Sequence, residues 1–556
     1  MHRPWRSLGL LWLAALALVC TGIGQHPFRD WDEAIVARVA LEISQQPWPQ
    51  RLLPTYWGEA YLNKPPGLHW LIAQVMQGWC SFTGAGNAAL PPEWVVRLVP
   101  ALGSSLLVPL LGLVQWQLRP GQRDQALATA VITLTLLPLA RHGHLAMLDG
   151  SQLSAMALVW LGLLLGQPGR PGQTGLGGVL AGAGTSLLLL LKAPVALPVL
   201  LSALALRHLD RRLVRASWGW LLLGCCVGLL PGLAWHGWHW HERGLEALVM
   251  WGAQGLARVA SSVENHSGGP LPPLIQVMTG GWPWLPLWPI GMALAWRERR
   301  QPWGVWSLGL TVVMSALVLP LQTQLPWYSL LLWPPFALIS APVLVALTRH
   351  RAPAAVQRWI PALWLALGGL VLAAGGVALV AGGPEPLTLT LPAGAGLCAA
   401  GWLLRPRSCR SGQRAIGLLA LGCYLSLGLL FWSPLWNWEL NEQASILPVL
   451  PLLPLPGSGP EEPPLAITGP ITKRPSLWWY AQMQPHGDGW ISRETRPALL
   501  VITDRPAFQP GRPFRFSSGR RSVQLQCQLD RPGRDGWNRW LCSASELRRS
   551  AGGKPR

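Results

Sequence analysis

Apolar runs of membrane-crossing length recur along this chain, at about 7–24, 93–117, 124–140, 149–166, 175–191, 193–206, 216–234, 284–296, 304–320, 327–347, 358–381, 387–404 and 413–432. A hydrocarbon core about 30 Å thick takes roughly 20 apolar residues to cross as a helix, whereas a transmembrane barrel leaves short alternating segments. The pattern predicts an all-α polytopic membrane protein with about 13 transmembrane helices. The first run follows Arg3 and Arg6 without a small-x-small cleavage pattern behind it, so it reads as an uncleaved first helix.

Arginine placement tests the count independently. Arg119 and Arg123, Arg170, Arg207 to Arg215, Arg297 to Arg300, Arg349 and Arg351, and Arg405 to Arg414 fall in alternate loops, and turns such as Gly382-Gly383-Pro384-Glu385-Pro386 carry none. Positive loops stay inside, so the N-terminus is expected in the cytoplasm of a cell whose plasma or inner membrane holds the chain. Two outside loops are long, 25–92 and 235–283, and the first contains two amphipathic segments, Asp32–Ser44 and Pro65–Phe82, suited to lie along the membrane surface. Past residue 438 the character changes: Pro-rich linkers at 448–464 are followed by strand-like runs such as 498–503. The expected division is a membrane domain over 1–438 and a small extracytoplasmic α/β domain over 439–556.

Composition sharpens this in two places. Charged residues make up 12 % of the chain, about half the usual share, so each charge outside the arginine bursts stands out. The net charge of +20 lies in those bursts rather than on one face, which argues against nucleic acid. The nine cysteines have no zinc spacing. Cys527 and Cys542 share the tail and either pair, if the tail is outside the cytoplasm, or stay free thiols. No P-loop occurs, which argues against an ATP-driven pump.

The remaining ionisable residues gather on the outside face. Asp32 and Glu33 open the first amphipathic segment, where carboxylates also favour a helix start for ordinary reasons. Lys64 follows in Tyr61-Leu62-Asn63-Lys64-Pro65-Pro66. Arg141 and Asp149 flank the junction of the third and fourth spans, Lys192 sits between the fifth and sixth, and Arg258, Glu264 and His266 lie in the second long loop. The chain has four lysines against forty arginines, and Lys64 and Lys192 are the two that precede the tail. A lysine is a compact charge suited to phosphate, and a carboxylate can take a proton from an acceptor. His236, His239 and His241 alternate with tryptophans at a spacing unlike a helical ligand pair, and read as an interfacial segment.

The order of these features resembles the GT-C fold glycosyltransferases of the protein O-mannosyltransferase and aminoarabinose transferase (ArnT-like) superfamily. Trp31-Asp32-Glu33-Ala34 through Glu42 resembles the family's first-loop Asp-Glu motif and its juxtamembrane helix. Tyr61-Leu62-Asn63-Lys64-Pro65-Pro66-Gly67-Leu68-His69-Trp70 is similar to its Tyr-x-x-Lys-Pro-Pro-x-x-x-Trp motif, with Asn63 where bacterial relatives often carry glutamate. Asp149 matches a later acidic residue, and Leu191-Lys192-Ala193-Pro194 a Lys-Gly-Pro turn. Arg258, His266 and Gly281-Trp282-Pro283-Trp284 resemble a loop ending in Pro-Trp, and Gln324-Leu325-Pro326-Trp327-Tyr328 is similar to a motif in which lysine is usual.

The resemblance implies transfer of a sugar, with inversion, from a polyprenyl-phosphate donor to an envelope acceptor (lipid A, a glycan or a protein) on the extracytoplasmic face. Asp32, Glu33 and Asp149 would be the catalytic carboxylates, and Tyr61, Lys64, Arg141, Lys192, Arg258 and His266 would bind substrate. A divalent metal is left open. Two other readings compete: a secondary transporter, which would carry ionisable residues near span midpoints and a repeat between halves, and a polyprenyl-phosphate binder without catalysis, which would need the lysines but not the carboxylates.

Overall fold

The computed structural model describes residues 4–84, 90–166, 169–213, 217–252, 269–405, 409–436, 446–453, 465–467, 474–482, 498–503, 513–518, 521–532 and 537–545. They fall into two compact units: Met1–His26, Val39–Gly84 and Pro91–Trp438 form one, and Pro27–Arg38, Ala85–Leu90 and Glu439–Arg556 the other.

The first unit is helical. Its early helices are α1 (Trp5–Cys20), α2 (Asp30–Gln45, shared with the second unit), α3 (Gly67–Thr83), α4 (Glu93–Ser105), α5 (Leu107–Leu118), α6 (Arg123–Thr135), α7 (Leu137–Gly143), α8 (Leu148–Leu164), α9 (Pro171–Leu209) and α10 (Trp218–Arg243). Among the described residues seven helical stretches are long and apolar enough to cross a membrane, and α6 with α7, bent by 64°, makes an eighth if taken as one span. Three shorter apolar helices accompany them. The chain is a multi-pass membrane protein. The two amphipathic segments of the first loop are the helices α2 and α3.

The most informative helix is α9. Taken as one rod, its 39 residues would separate Gly177 from Arg207 by about 45 Å. Both nevertheless pack against the last turns of α8: a methyl on Gly162 would lie 2.6 Å from the Gly177 carbonyl oxygen, and the Arg207 guanidinium donates to the Leu163 carbonyl. The chain therefore reverses inside α9, at Lys192, whose φ −151° and ψ 77° are not helical. Pro194 supplies the reason. It has no N–H to give the Leu190 carbonyl four residues before it, and its ring collides with that oxygen. The runs 175–191 and 193–206 are thus two passes with Lys192 at the tip of the hairpin. The first pass lies against α10 along glycines: a methyl on Gly178 would be 2.2 Å from the Leu221 carbonyl oxygen.

The end of the bundle opposite Lys192 is tied by ion pairs. Arg119 reaches Glu298 at 2.6 Å, and Arg349 pairs with Asp124. Asp210, 1 % exposed, accepts from Arg212 at 2.9 Å and from the Trp306 indole at 3.2 Å. Removing a buried carboxylate leaves its donors unpaired in a poorly solvated place. Asp210→Ala is expected to cost about 2 kcal/mol, read as a lower unfolding temperature in detergent. Asp210→Asn, which keeps one acceptor oxygen, should recover part of it.

The second unit holds a five-stranded sheet in the order β3-β4-β7-β6-β5, where β3 is Leu465–Ile467, β4 Ala498–Thr503, β5 Pro513–Ser518, β6 Arg521–Pro532 and β7 Asn538–Ser545. The β3–β4 pair is parallel and the others are antiparallel. The short helix Pro475–Ala481 accompanies the sheet, and its Leu477 shares a core with Ile446, Val449, Leu452, Ile467, Leu500, Ile502 and Trp537. Residues 27–38 belong to this unit as well: the Phe28 N–H donates to the Tyr480 hydroxyl at 2.7 Å, and Trp31 meets Trp478 edge-on. Cys527 and Cys542, facing each other across β6 and β7, form a disulfide. Non-reducing peptide mapping should recover 527 and 542 in one linked fragment that separates on reduction.

Candidate functional site

The site grows from the hairpin tip. Asp149 stands in the first turn of α8 after the extended residue Met147, 7 % exposed. The Lys192 ammonium donates to Asp149 Oδ1 at 3.0 Å and lies 5.1 Å above the Tyr328 ring. A cation at the C-terminal end of the first α9 pass also suits that helix's dipole, as a carboxylate suits the start of α8. Beside the pair opens a cavity of about 520 Å³. Asp149, Gln152 and Lys192 supply polarity to a wall otherwise made of Leu, Val and Pro side chains with Trp251, Trp327 and Tyr328. A mostly apolar chamber with a few convergent charges is the usual form of a ligand site.

Lys64 completes the charge. Its ammonium acts on the Asp149 carboxylate together with Lys192. Strands β1 (Thr55–Tyr56) and β2 (Glu59–Ala60) make a hairpin whose two-residue turn, Trp57 at φ 54° and Gly58 at φ 82°, has the left-handed backbone that such turns need. Glu42 of α2 holds it, accepting from the Thr55 hydroxyl at 2.6 Å and from the Trp57 N–H at 2.7 Å. From there the chain passes Tyr61, buried and bonded through its N–H to the Pro54 carbonyl at 3.0 Å, and reaches Lys64. Burial, with Lys64 adding to it, pushes the His69 imidazole down to about 3, so this ring is neutral and places no second cation beside the lysine.

Three of the residues singled out from sequence therefore converge: Lys64, Asp149 and Lys192. Arg141 is half-buried in the last turn of α7, and its charge and that of Asp149 both act on His142. Tyr61 lies edge-on to His69 with ring centres 5.7 Å apart. Asp32 and Glu33 fall in the second unit. Glu33 is fully buried and accepts the Arg29 N–H at 2.6 Å, which caps the start of α2, while Asp32 is partly exposed. Arg258, Glu264 and His266 lie outside the described residues. Tyr328 and Trp251 were missed as site residues. Tyr328 is one of five tyrosines, but only the fold places its ring beneath the Lys192 ammonium.

Among the described residues no group of three or more His, Cys, Asp or Glu could hold a metal ion. His236 instead faces the Leu189 carbonyl through Nε2 at 3.1 Å, and His239 stacks on Trp235.

The fold, a helical membrane bundle with a long first loop and a small sheet unit, is of GT-C type by its likeness to a solved structure. The chain is similar in structure to ArnT from Cupriavidus metallidurans. Against that protein in the apo state the TM-score is 0.66 at 16 % identity, over 97 % of this chain and 98 % of the other. Against its structure bound to undecaprenyl phosphate the TM-score is 0.61 at 19 % identity, over 85 % and 84 %. No family model matches the sequence.

Proposed function

We propose that this protein is an integral-membrane glycosyltransferase that moves a sugar from a polyprenyl-phosphate donor to an acceptor hydroxyl or phosphate, with inversion. The observation that carries the reading is the Lys192–Asp149 pair, under the field of Lys64, on the wall of a large apolar cavity. Such a chamber suits an isoprenoid chain, and two lysines suit its phosphate. That the similar ArnT structure is bound to undecaprenyl phosphate supports the same ligand class here.

In a single displacement the acceptor loses its proton as its oxygen attacks the anomeric carbon, and the lipid phosphate leaves with the bonding electrons. Asp32 takes the acceptor proton, and Glu33 holds the start of α2 on which Asp32 stands. Lys64 and Lys192 stabilise the departing phosphate, so no strong acid is required. Asp149 sets the Lys192 ammonium until phosphate arrives and then faces the sugar or acceptor. Arg141, Arg258 and His266 are proposed as further substrate contacts. The disulfide of the second unit agrees with an extracytoplasmic face for that unit, since such bonds persist in oxidising compartments, and the arginine-rich loops then lie in the cytoplasm.

The direct test is transfer from polyprenyl-phosphate-linked sugars by the purified full chain in lipid nanodiscs. Donor-dependent release of polyprenyl phosphate is expected. Tight binding of polyprenyl phosphate without turnover of any linked sugar, against lipid A, glycan and protein acceptors alike, would make the protein a non-catalytic carrier binder.

A further inference from the structure

We propose that the α9 reversal is clamped from two sides, by His236 of α10 and by Gly67 at the start of α3, and that both are positioning residues for the lysines. The inference rests on the reading of the Lys192–Asp149 site as a lipid-phosphate site.

A helix that ends leaves its last carbonyls without intrahelical partners. The first pass of α9 ends at Lys192, and Pro194 cannot serve Leu190, so Leu189 and Leu190 present carbonyls in an apolar setting where an unmet acceptor is costly. Each has a neighbour from another element. His236 Nε2 lies 3.1 Å from the Leu189 oxygen. A carbonyl accepts only, so Nε2 carries the proton. The same imidazole meets the ring of Trp251, centroids 5.5 Å apart, and Trp251 lines the cavity with Lys192. His236 thus ties the hairpin tip and the cavity wall to α10.

Gly67 closes the other side. A methyl built on it would lie 2.7 Å from both Leu190 Cβ and the Leu190 oxygen, and 3.2 Å from the Leu190 carbonyl carbon. Backbone, not a yielding side-chain tip, occupies that space. Gly67 follows Lys64-Pro65-Pro66, where the two prolines leave little freedom. Its bare Cα therefore sets how close the Lys64 segment comes to the segment bearing Lys192. A side chain there would push the two cations apart. Neither clamp touches Asp149 or needs to touch substrate; each fixes where the ammonium groups stand.

The test uses the full chain in nanodiscs, with undecaprenyl phosphate as the probe and both affinity and transfer kinetics as readouts. His236→Phe keeps a ring against Trp251 but loses the N–H, and should weaken undecaprenyl phosphate binding about tenfold, raising the donor KM more than it lowers kcat. His236→Gln, which restores a donor, should recover most of the loss. Gly67→Ala should weaken binding to a similar degree. Adding Lys192→Ala to either variant should cost less than Lys192→Ala costs the parent, because the clamp acts through that lysine. If His236→Phe and Gly67→Ala both bind as the parent does while Lys192→Ala does not, the clamp is overturned and the phosphate site stands. If His236→Gln recovers nothing, His236 acts by packing alone and its assignment falls. If Lys192→Ala itself binds as the parent does, the lipid-phosphate reading fails first. Should His236→Phe not fold, Gly67→Ala, one methyl larger than the parent, decides the matter alone.

Discussion

Lys192→Ala is expected to lower the rate of sugar transfer by about 10²–10³, the usual cost of removing one well-placed electrostatic stabiliser, and to weaken binding of the polyprenyl-phosphate product. Two features set the size of this effect. The ammonium stands at the break of a hairpin and donates to Asp149 at 3.0 Å, so its place is set by the backbone, and Lys64 shares the charge without the same contact. It also faces a mostly apolar cavity, where charge is screened less than in water. Lys192→Arg should rescue little. The guanidinium is larger and planar, and its place between Asp149 Oδ1 and the Tyr328 ring is fitted to a compact ammonium. Asp149→Asn should behave differently, because it leaves Lys192 without its counter-charge while keeping an oxygen acceptor. Binding of the anionic lipid should be retained or tightened, and transfer should fall. Measured together, product affinity and turnover separate the two roles. Equal transfer by Lys192→Ala and the parent would remove the lysine from the mechanism.

The second large effect is expected at Asp32. Asp32→Asn should reduce transfer by 10² or more, within the range that general base catalysis supplies, with polyprenyl-phosphate affinity unchanged. Glu33→Gln should act on stability instead. Its carboxylate is spent on the Arg29 N–H at the start of α2, and an amide oxygen accepts that bond less strongly, so a loss of about 1 kcal/mol is expected. Unfolding temperature and single-turnover transfer in the two variants distinguish the base from the cap. A Glu33→Gln protein that unfolds as the parent does but fails to transfer would exchange the assignments.

The helical membrane character and the break between 191 and 193 were legible because hydropathy is a property of the chain read in order. What could not be read was which loop residues meet. Lys192 and Asp149 are 43 positions apart, and only the reversal of α9 and the direction of α8 bring them together. A glycine after two prolines gives no sign that its missing side chain is the room in which Leu190 sits. The ordinary reading of Glu33 as a helix cap was available from its position, and the Arg29 bond bears it out. Residues 27–38 were assigned with the membrane domain by sequence order, whereas they pack in the unit of the C-terminal sheet, through aromatic contacts that no local pattern announces.

The hairpin of α9 is staked at both ends, by Lys192 on Asp149 and by Arg207 on the Leu163 carbonyl. The fifteen steps from Lys192 to Arg207 rise about 22 Å, most of the depth of a bilayer's hydrocarbon layer. On the proposed reading the lysine end of this pass stands at the headgroup level, while the Arg207 side chain, 1 % exposed, is packed inside the bundle at the other end. Under that proposal a donor lipid enters sideways, its tail already in oil and its headgroup at the height of the lysine. One residue inserted anywhere in the second pass would lift the ammonium by about 1.5 Å and swing it through about 100°. If the proposed transfer holds, the length of this helix is a ruler for the reaction, and its register counts as much as the identity of the lysine it carries.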